Sequence, residues 1–179
     1  KGDLMHDNGY VGTGKIIAVL DAGFSNVDAM PAFDSLFTNN RVLATWDFVD
    51  NESDVYDDDQ HGTMVLSLMG GNVPGEIIGT APGASYLLLR SENAPAEALI
   101  EEYNWASAAE YADSAGADII NSSLGYTEFD DPSQNHTYND LDGNTTPISI
   151  AADIAASKGM VVCNSAGNEG NGSWFHISA

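Results

Sequence analysis

Lys15-Ile16-Ile17-Ala18-Val19-Leu20-Asp21-Ala22-Gly23 is an apolar run closed by an acid and by turn residues. Runs of the same kind recur from Val42 to Val49, Ser85 to Arg90, Asp118 to Ser122 and Met160 to Ser165. Nearly continuous apolar strands are buried on both faces, with helices covering each side of a parallel sheet. Helical patterns lie between them. Leu99, Tyr103, Ala106 and Ala109 recur at steps of three and four, with Glu101, Glu102 and Glu110 on other faces. They predict an amphipathic helix from about Glu97 to Ser114, ended by Gly116. Pro147 to Ser157 predicts a second helix, with proline in its first turn. His61 to Met69 has almost no polar face, as expected of a helix in the middle of the fold. This alternation predicts an α/β fold on a mostly parallel sheet.

With 179 residues, 43% of them hydrophobic, the chain has material for one sizeable core, and its length points to a single domain spanning 1–179. Twenty-seven acidic residues against five basic ones give a net charge of -22. Such a field repels phosphate backbones and anionic lipid headgroups, which argues against nucleic acid and membrane partners. No stretch is long and apolar enough to cross a bilayer, and no signal-peptide pattern stands at the start. The chain opens at Lys1-Gly2-Asp3 without a methionine, which predicts a processed or excised piece.

The acids crowd together at Asp47, Asp50, Glu52, Asp54, Asp57, Asp58 and Asp59. Two readings stand: a solvated, mobile loop, or a structural calcium site without the regular spacing of an EF-hand. Cys163 is the only cysteine, so neither an intrachain disulfide nor a thiolate zinc cluster can form. Within Met160-Val161-Val162-Cys163 it is expected to be a small buried hydrophobe. The polar stretch from Gly125 to Asn144 reads as a surface excursion that carries no chemistry of its own.

Three segments supply reactive groups at strand or helix ends. Asp21 closes the first apolar run, where open α/β sheets present their sites. His61 opens the apolar helix, whose N-terminus disfavours the imidazolium and keeps a neutral base available. Asn168, in Ser165-Ala166-Gly167-Asn168-Glu169-Gly170, offers an amide donor for a developing oxyanion. Taken singly, each has an ordinary reading: a turn aspartate, a solvated histidine, an asparagine tolerated at positive φ. Gly9, Gly14 and Lys15 imitate a phosphate loop, but Ile16 stands where a Ser or Thr is needed and the glycines precede a strand. Nucleotide binding is set aside.

As a set, in this order, the segments resemble the subtilisin-like serine peptidases, the subtilases. The resemblance rests on Ile17-Ala18-Val19-Leu20-Asp21-Ala22-Gly23, His61-Gly62-Thr63, Asp118-Ile119-Ile120-Asn121-Ser122-Ser123-Leu124-Gly125, and Ser165 to Gly170. It implies a three-layer, doubly wound fold cut off before its C-terminal part. Asp21 would orient His61, His61 would shuttle the proton, and Asn168 would hold the oxyanion. Ser123, Leu124 and Gly125 would pair with extended substrate backbone. Ser165, Ala166 and Gly167 would wall the pocket before the scissile bond, with Glu169 near its rim; the acidic surface and Glu169 suggest tolerance for basic residues in or near that pocket.

Met64 replaces a second histidine common in the family, and Ala22 a Ser or Thr. The larger departure is the nucleophile: the family carries it in a Gly-Thr-Ser motif, which these residues lack. The resemblance therefore implies the N-terminal part of an endopeptidase domain, inactive alone, whether a truncated piece, a cleavage product or one segment of a nicked enzyme. The alternative is a binding or scaffold protein that has lost its serine. Polypeptide substrates, the remainder of its own domain, and a dimer or swapped assembly through bare sheet edges are the expected partners. Secretion or a cell-surface location follows from the family, with no required cofactor and no catalytic metal.

Overall fold

The computed structural model describes residues 2–178, apart from the side chain of Glu169. A short helix, α1 (Gly2–Asp7), precedes strand β1 (Ile16–Asp21). Then come α2 (Asp34–Thr38), β2 (Val42–Asp47) and α3 (His61–Gly70). A small antiparallel hairpin, β3 (Asn72–Val73) and β4 (Ile77–Ile78), leads to β5 (Ser85–Arg90) and α4 (Ile100–Ser114). The chain continues through β6 (Ile119–Ser122), α5 (Pro147–Ser157) and β7 (Val161–Asn164).

Five strands form one parallel sheet in the order β2-β5-β1-β6-β7. From β1 the chain runs to one edge, returns beside β1 as β5, and then crosses to build the other half. That reversal makes the carboxyl end of β1 a topological switch point, where α/β sheets open a crevice. The register aligns Asp21 with Arg90, Leu20 with Ser122, and Ser122 with Asn164, so these residues end at one rim.

Alternate residues of β1 serve opposite layers. Ile17 and Val19 join Phe24, Phe33, Leu36 and Leu66 on the side of α2 and α3. Ala18 and Leu20 join Trp105, Ala109, Ile148 and Ala155 on the side of α4 and α5. Fully burying one large apolar side chain stabilises the fold by about 1.5–3 kcal/mol, so a strand buried on both faces holds its register firmly. The architecture is the expected α/β sandwich of three layers on a doubly wound parallel sheet.

Several expectations change. β7 is not buried on both faces: it lies at the sheet edge, with Val161 57% exposed and Cys163 also exposed. Among the described residues no strand flanks its outer side. Helix α3 rests one face on the sheet but turns Met64 and Leu68 outward, so it is not central. Glu101 and Glu102 are buried on α4 rather than solvated. Each carboxylate has backbone donors, Glu101 from Asn93 and Ala98 at 2.7 Å and Glu102 from Ile148 at 3.1 Å, while His136 pairs with Glu102. The stretch after β6 is not wholly superficial, because Tyr126 and Phe129 are buried and stacked.

Candidate functional site

Asp21 and His61 meet at the rim of the sheet. His61 Nδ1 lies 2.7 Å from Asp21 Oδ1, which also accepts the Ala22 amide at 2.8 Å. Asp21 is fully buried, and its Oδ2 has no partner. Burial raises the Asp21 carboxyl above the ordinary aspartate range, against the lowering effect of the His61 bond. For His61, burial lowers the ring's affinity for a proton, but the bond to Asp21 and the charges of Asp21, Glu92 and Asp59 outweigh it and raise the ring.

Glycines permit this approach. A Cβ on Gly62 would fall 2.4 Å from the Gly23 carbonyl oxygen and 2.9 Å from the Asp21 Cβ. Gly23 has φ +150, and a Cβ there would fall 2.5 Å from the Asp59 amide nitrogen. The start of α3 can therefore press onto the end of β1 only without side chains at both positions. Asp59 Oδ1 accepts the His61 amide at 2.7 Å, and Thr63 Oγ1 donates to the Ser25 carbonyl at 2.9 Å, pinning the first turn. His61 Nε2 has no hydrogen-bond partner among the described residues and belongs to a ring that remains 43% exposed on its side chain.

That ring lines a cleft of about 490 Å³. Ser123, Leu124 and Gly125 follow β6 directly, pair with no strand among the described residues, and line the same cleft. Opposite, Ser165, Gly167 and Asn168 follow β7 and complete it. The Ser165 hydroxyl donates to the Leu124 carbonyl at 3.3 Å, linking the two walls. Ala166 lines the neighbouring cavity of about 830 Å³ instead. The side chain of Glu169 lies outside the described residues.

A buried acid bonded to a half-exposed imidazole is an acid–base pair, and here it opens on a cleft that Asn168 also lines. The subtilase family model matches residues 12–178, nearly the whole chain.

The chain belongs to the subtilase family.

This subtilase chain is 32% identical over 166 residues to the thermophilic serine proteinase of Bacillus sp. (strain AK1), covering 91% of the chain and 35% of that relative. It is 31% identical over 179 residues to the minor extracellular protease Vpr of Bacillus subtilis (strain 168), covering 94% of the chain and 19% of Vpr. It thus spans about a third or less of the length of these curated relatives. The crystal structure of MycP1 with its N-terminal propeptide removed superposes with a TM-score of 0.66 at 24% identity. That match covers 93% of the chain and 47% of MycP1, and supports the fold alone.

The acidic stretch is not solvated throughout: Asp47 is fully buried. Carboxylate oxygens of Asp47, Asp50 and Asp58 lie within 4.8 Å of one another. Arg90 Nη1 sits among them, at 2.6, 2.6 and 3.1 Å respectively. The guanidinium supplies positive charge to these three carboxylates. Arg90 Nε also donates to the Ala22 carbonyl at 3.2 Å, bracing the loop after Asp21.

Sequence reasoning missed Glu92, Glu97 and Tyr126, which also line the cleft. The signal for Glu92 was present: it follows Arg90, the residue in register with Asp21, at the same end of the sheet. No helix among the described residues is long and apolar enough to cross a membrane.

Proposed function

We propose that this subtilase chain carries the acid, the base and the oxyanion donor of a serine endopeptidase, as the N-terminal part of its catalytic domain. The observation carrying the reading is the 2.7 Å contact of His61 Nδ1 with the buried Asp21. Asp21 keeps the proton on Nδ1, leaving Nε2 as the base toward the cleft. Nε2 takes the proton of a serine hydroxyl as its oxygen attacks the peptide carbonyl. The imidazolium, stabilised by Asp21, then returns that proton to the leaving amine, and the Asn168 amide donates to the oxyanion.

Substrate backbone pairs with Ser123, Leu124 and Gly125. Ser165 and Gly167 wall the pocket before the scissile bond, with Ala166 behind them. The serine comes from a Gly-Thr-Ser segment outside these residues, since none occurs within them. The chain by itself is then inactive. No step needs a cofactor, because only acyl and proton transfers occur. Export fits the reading, as the similar Vpr is by name an extracellular protease. The open edge of β7 favours self-association of the isolated chain, read as a concentration-dependent mass in sedimentation.

The deciding experiment exposes the natural protein to a fluorophosphonate and measures its intact mass. One adduct is expected, and none on the His61→Ala variant. Labelling that survives this substitution removes His61 as the base. A folded protein that takes no adduct is a subtilase-shaped binding or scaffold protein.

A further inference from the structure

Glu92 and Glu97 both line the cleft beside His61 and the free segment at Ser123, Leu124 and Gly125. Both are half-buried, and among the described residues neither carboxylate has a hydrogen-bond or ion-pair partner. His61 shares the cleft and feels the charge of Glu92, while the described lysines and arginines are engaged elsewhere. Lys15 pairs with Asp118, Lys158 with Asp113, and Arg90 with its own acidic cluster, while Arg41 donates to the Pro82 carbonyl. Tyr126 supplies a second and independent observation: it is 1% exposed, lines the same cleft, and its hydroxyl has no hydrogen-bond partner among the described residues.

Half-buried acids without a lysine or arginine partner, together with a buried hydroxyl that lacks a partner among the described residues, are an incomplete polar arrangement. What completes it is a group that donates several hydrogen bonds and carries positive charge. An ammonium has three donors and a guanidinium five, and neither accepts. An apolar side chain would leave all three groups unsatisfied, and an acidic one would add repulsion.

We propose that Glu92, Glu97 and Tyr126 form a subsite that receives the cationic side chain of a lysine or arginine in the bound polypeptide. The inference rests on the peptidase reading of the cleft and names its substrate class. Electrostatics supports the geometry. Burial, then the charge of neighbouring acids including Glu101, pushes both Glu92 and Glu97 up to about 7. Burial also raises Tyr126, with Glu92 foremost among the acids that add to it. A substrate cation relieves this crowding. Glu101 contributes charge but not ligation, because its oxygens are bonded to the Asn93 and Ala98 amides.

The test measures binding to the full 179-residue chain by fluorescence anisotropy of labelled hexapeptides. A single position, moved along the peptide, is lysine, N-acetyl-lysine or norleucine. At one register lysine should bind about tenfold more tightly than both neutral analogues, of which norleucine is one atom shorter and N-acetyl-lysine an acetyl group longer, so that neither length nor apolar stem accounts for the gain. In a Glu92→Gln/Glu97→Gln variant that keeps its circular dichroism melt, that ratio should fall toward one. Equal binding of all three peptides to the unaltered protein overturns the subsite and leaves the peptidase reading standing. Binding of none overturns the peptide cleft, and the subsite with it.

Discussion

Gly62 touches Gly23 so closely that a methyl group on Gly62 would fall 2.4 Å from the Gly23 carbonyl oxygen. A helix start is pressed against a strand end here, and the imidazole of His61 reaches Asp21 because of it. Gly62→Ala should push α3 outward, destabilise the protein by about 1–3 kcal/mol through overpacking, and lengthen the His61–Asp21 bond. Urea denaturation gives the first quantity. Loss of the downfield Nδ1 proton resonance reads the second, and an unchanged resonance would contradict the argument.

The protonation of His61 should follow its neighbours. The folded protein raises this ring above its ordinary value of 6.5: burial opposes the charge, but Asp21, Glu92 and Asp59 prevail. A raised folded value means that protonation adds stability in full below 6.5, which is lost as pH rises through the folded value. On the peptidase reading, the neutral base, and hence the rate, should appear over that same rise. NMR titration of the ring should find its midpoint above 6.5 in the protein. Asp21→Asn should lower it, and an unmoved midpoint would exclude Asp21 as the dominant partner.

Arg90 should behave as a built-in cation. Its side chain is 6% exposed and Asp47 is fully buried, so Arg90→Ala leaves a buried carboxylate uncompensated, at a cost of about 3–5 kcal/mol. The three freed carboxylates then offer hard oxygen donors close together. Added calcium should therefore raise the melting temperature of Arg90→Ala while acting on the unaltered protein through none of these groups. Calorimetry with and without the ion decides this, and an Arg90→Ala melt indifferent to calcium would refute it.

Cys163 should be chemically accessible in the native state. It lies on an edge strand and is exposed, against the burial its apolar neighbours imply. A disulfide reagent should titrate one thiol in the folded protein at a rate similar to that in urea. Strong protection in the absence of denaturant would show that another surface covers β7.

The central strand was legible because its information is local: an apolar run between turn residues identifies β1 whatever surrounds it. The ends of β5 and α5 were legible for similar reasons, through apolar content and a proline at a helix start. β7 misled because its residues are as apolar as those of β1, and composition does not record whether a neighbour stands on the outer side. Glu101 and Glu102 misled because a carboxylate can be buried when backbone amides meet it, and Ile148, which meets Glu102, is distant in the chain. The acidic run hid its meaning the same way, since Arg90 joins it only through strand pairing. Asp21 and His61 were readable because each stands at an element boundary, whereas the groove acids carry no spacing rule of their own.

The walls of the cleft extend two adjacent strands, β6 and β7, whose last residues Ser122 and Asn164 are in register. The roots of both walls are therefore fixed by a hydrogen-bonded ladder, about 4.8 Å between neighbouring backbones, and not by how side chains happen to pack. Substitutions along the lining can change what the cleft recognises while the strand ends that anchor it stay in place.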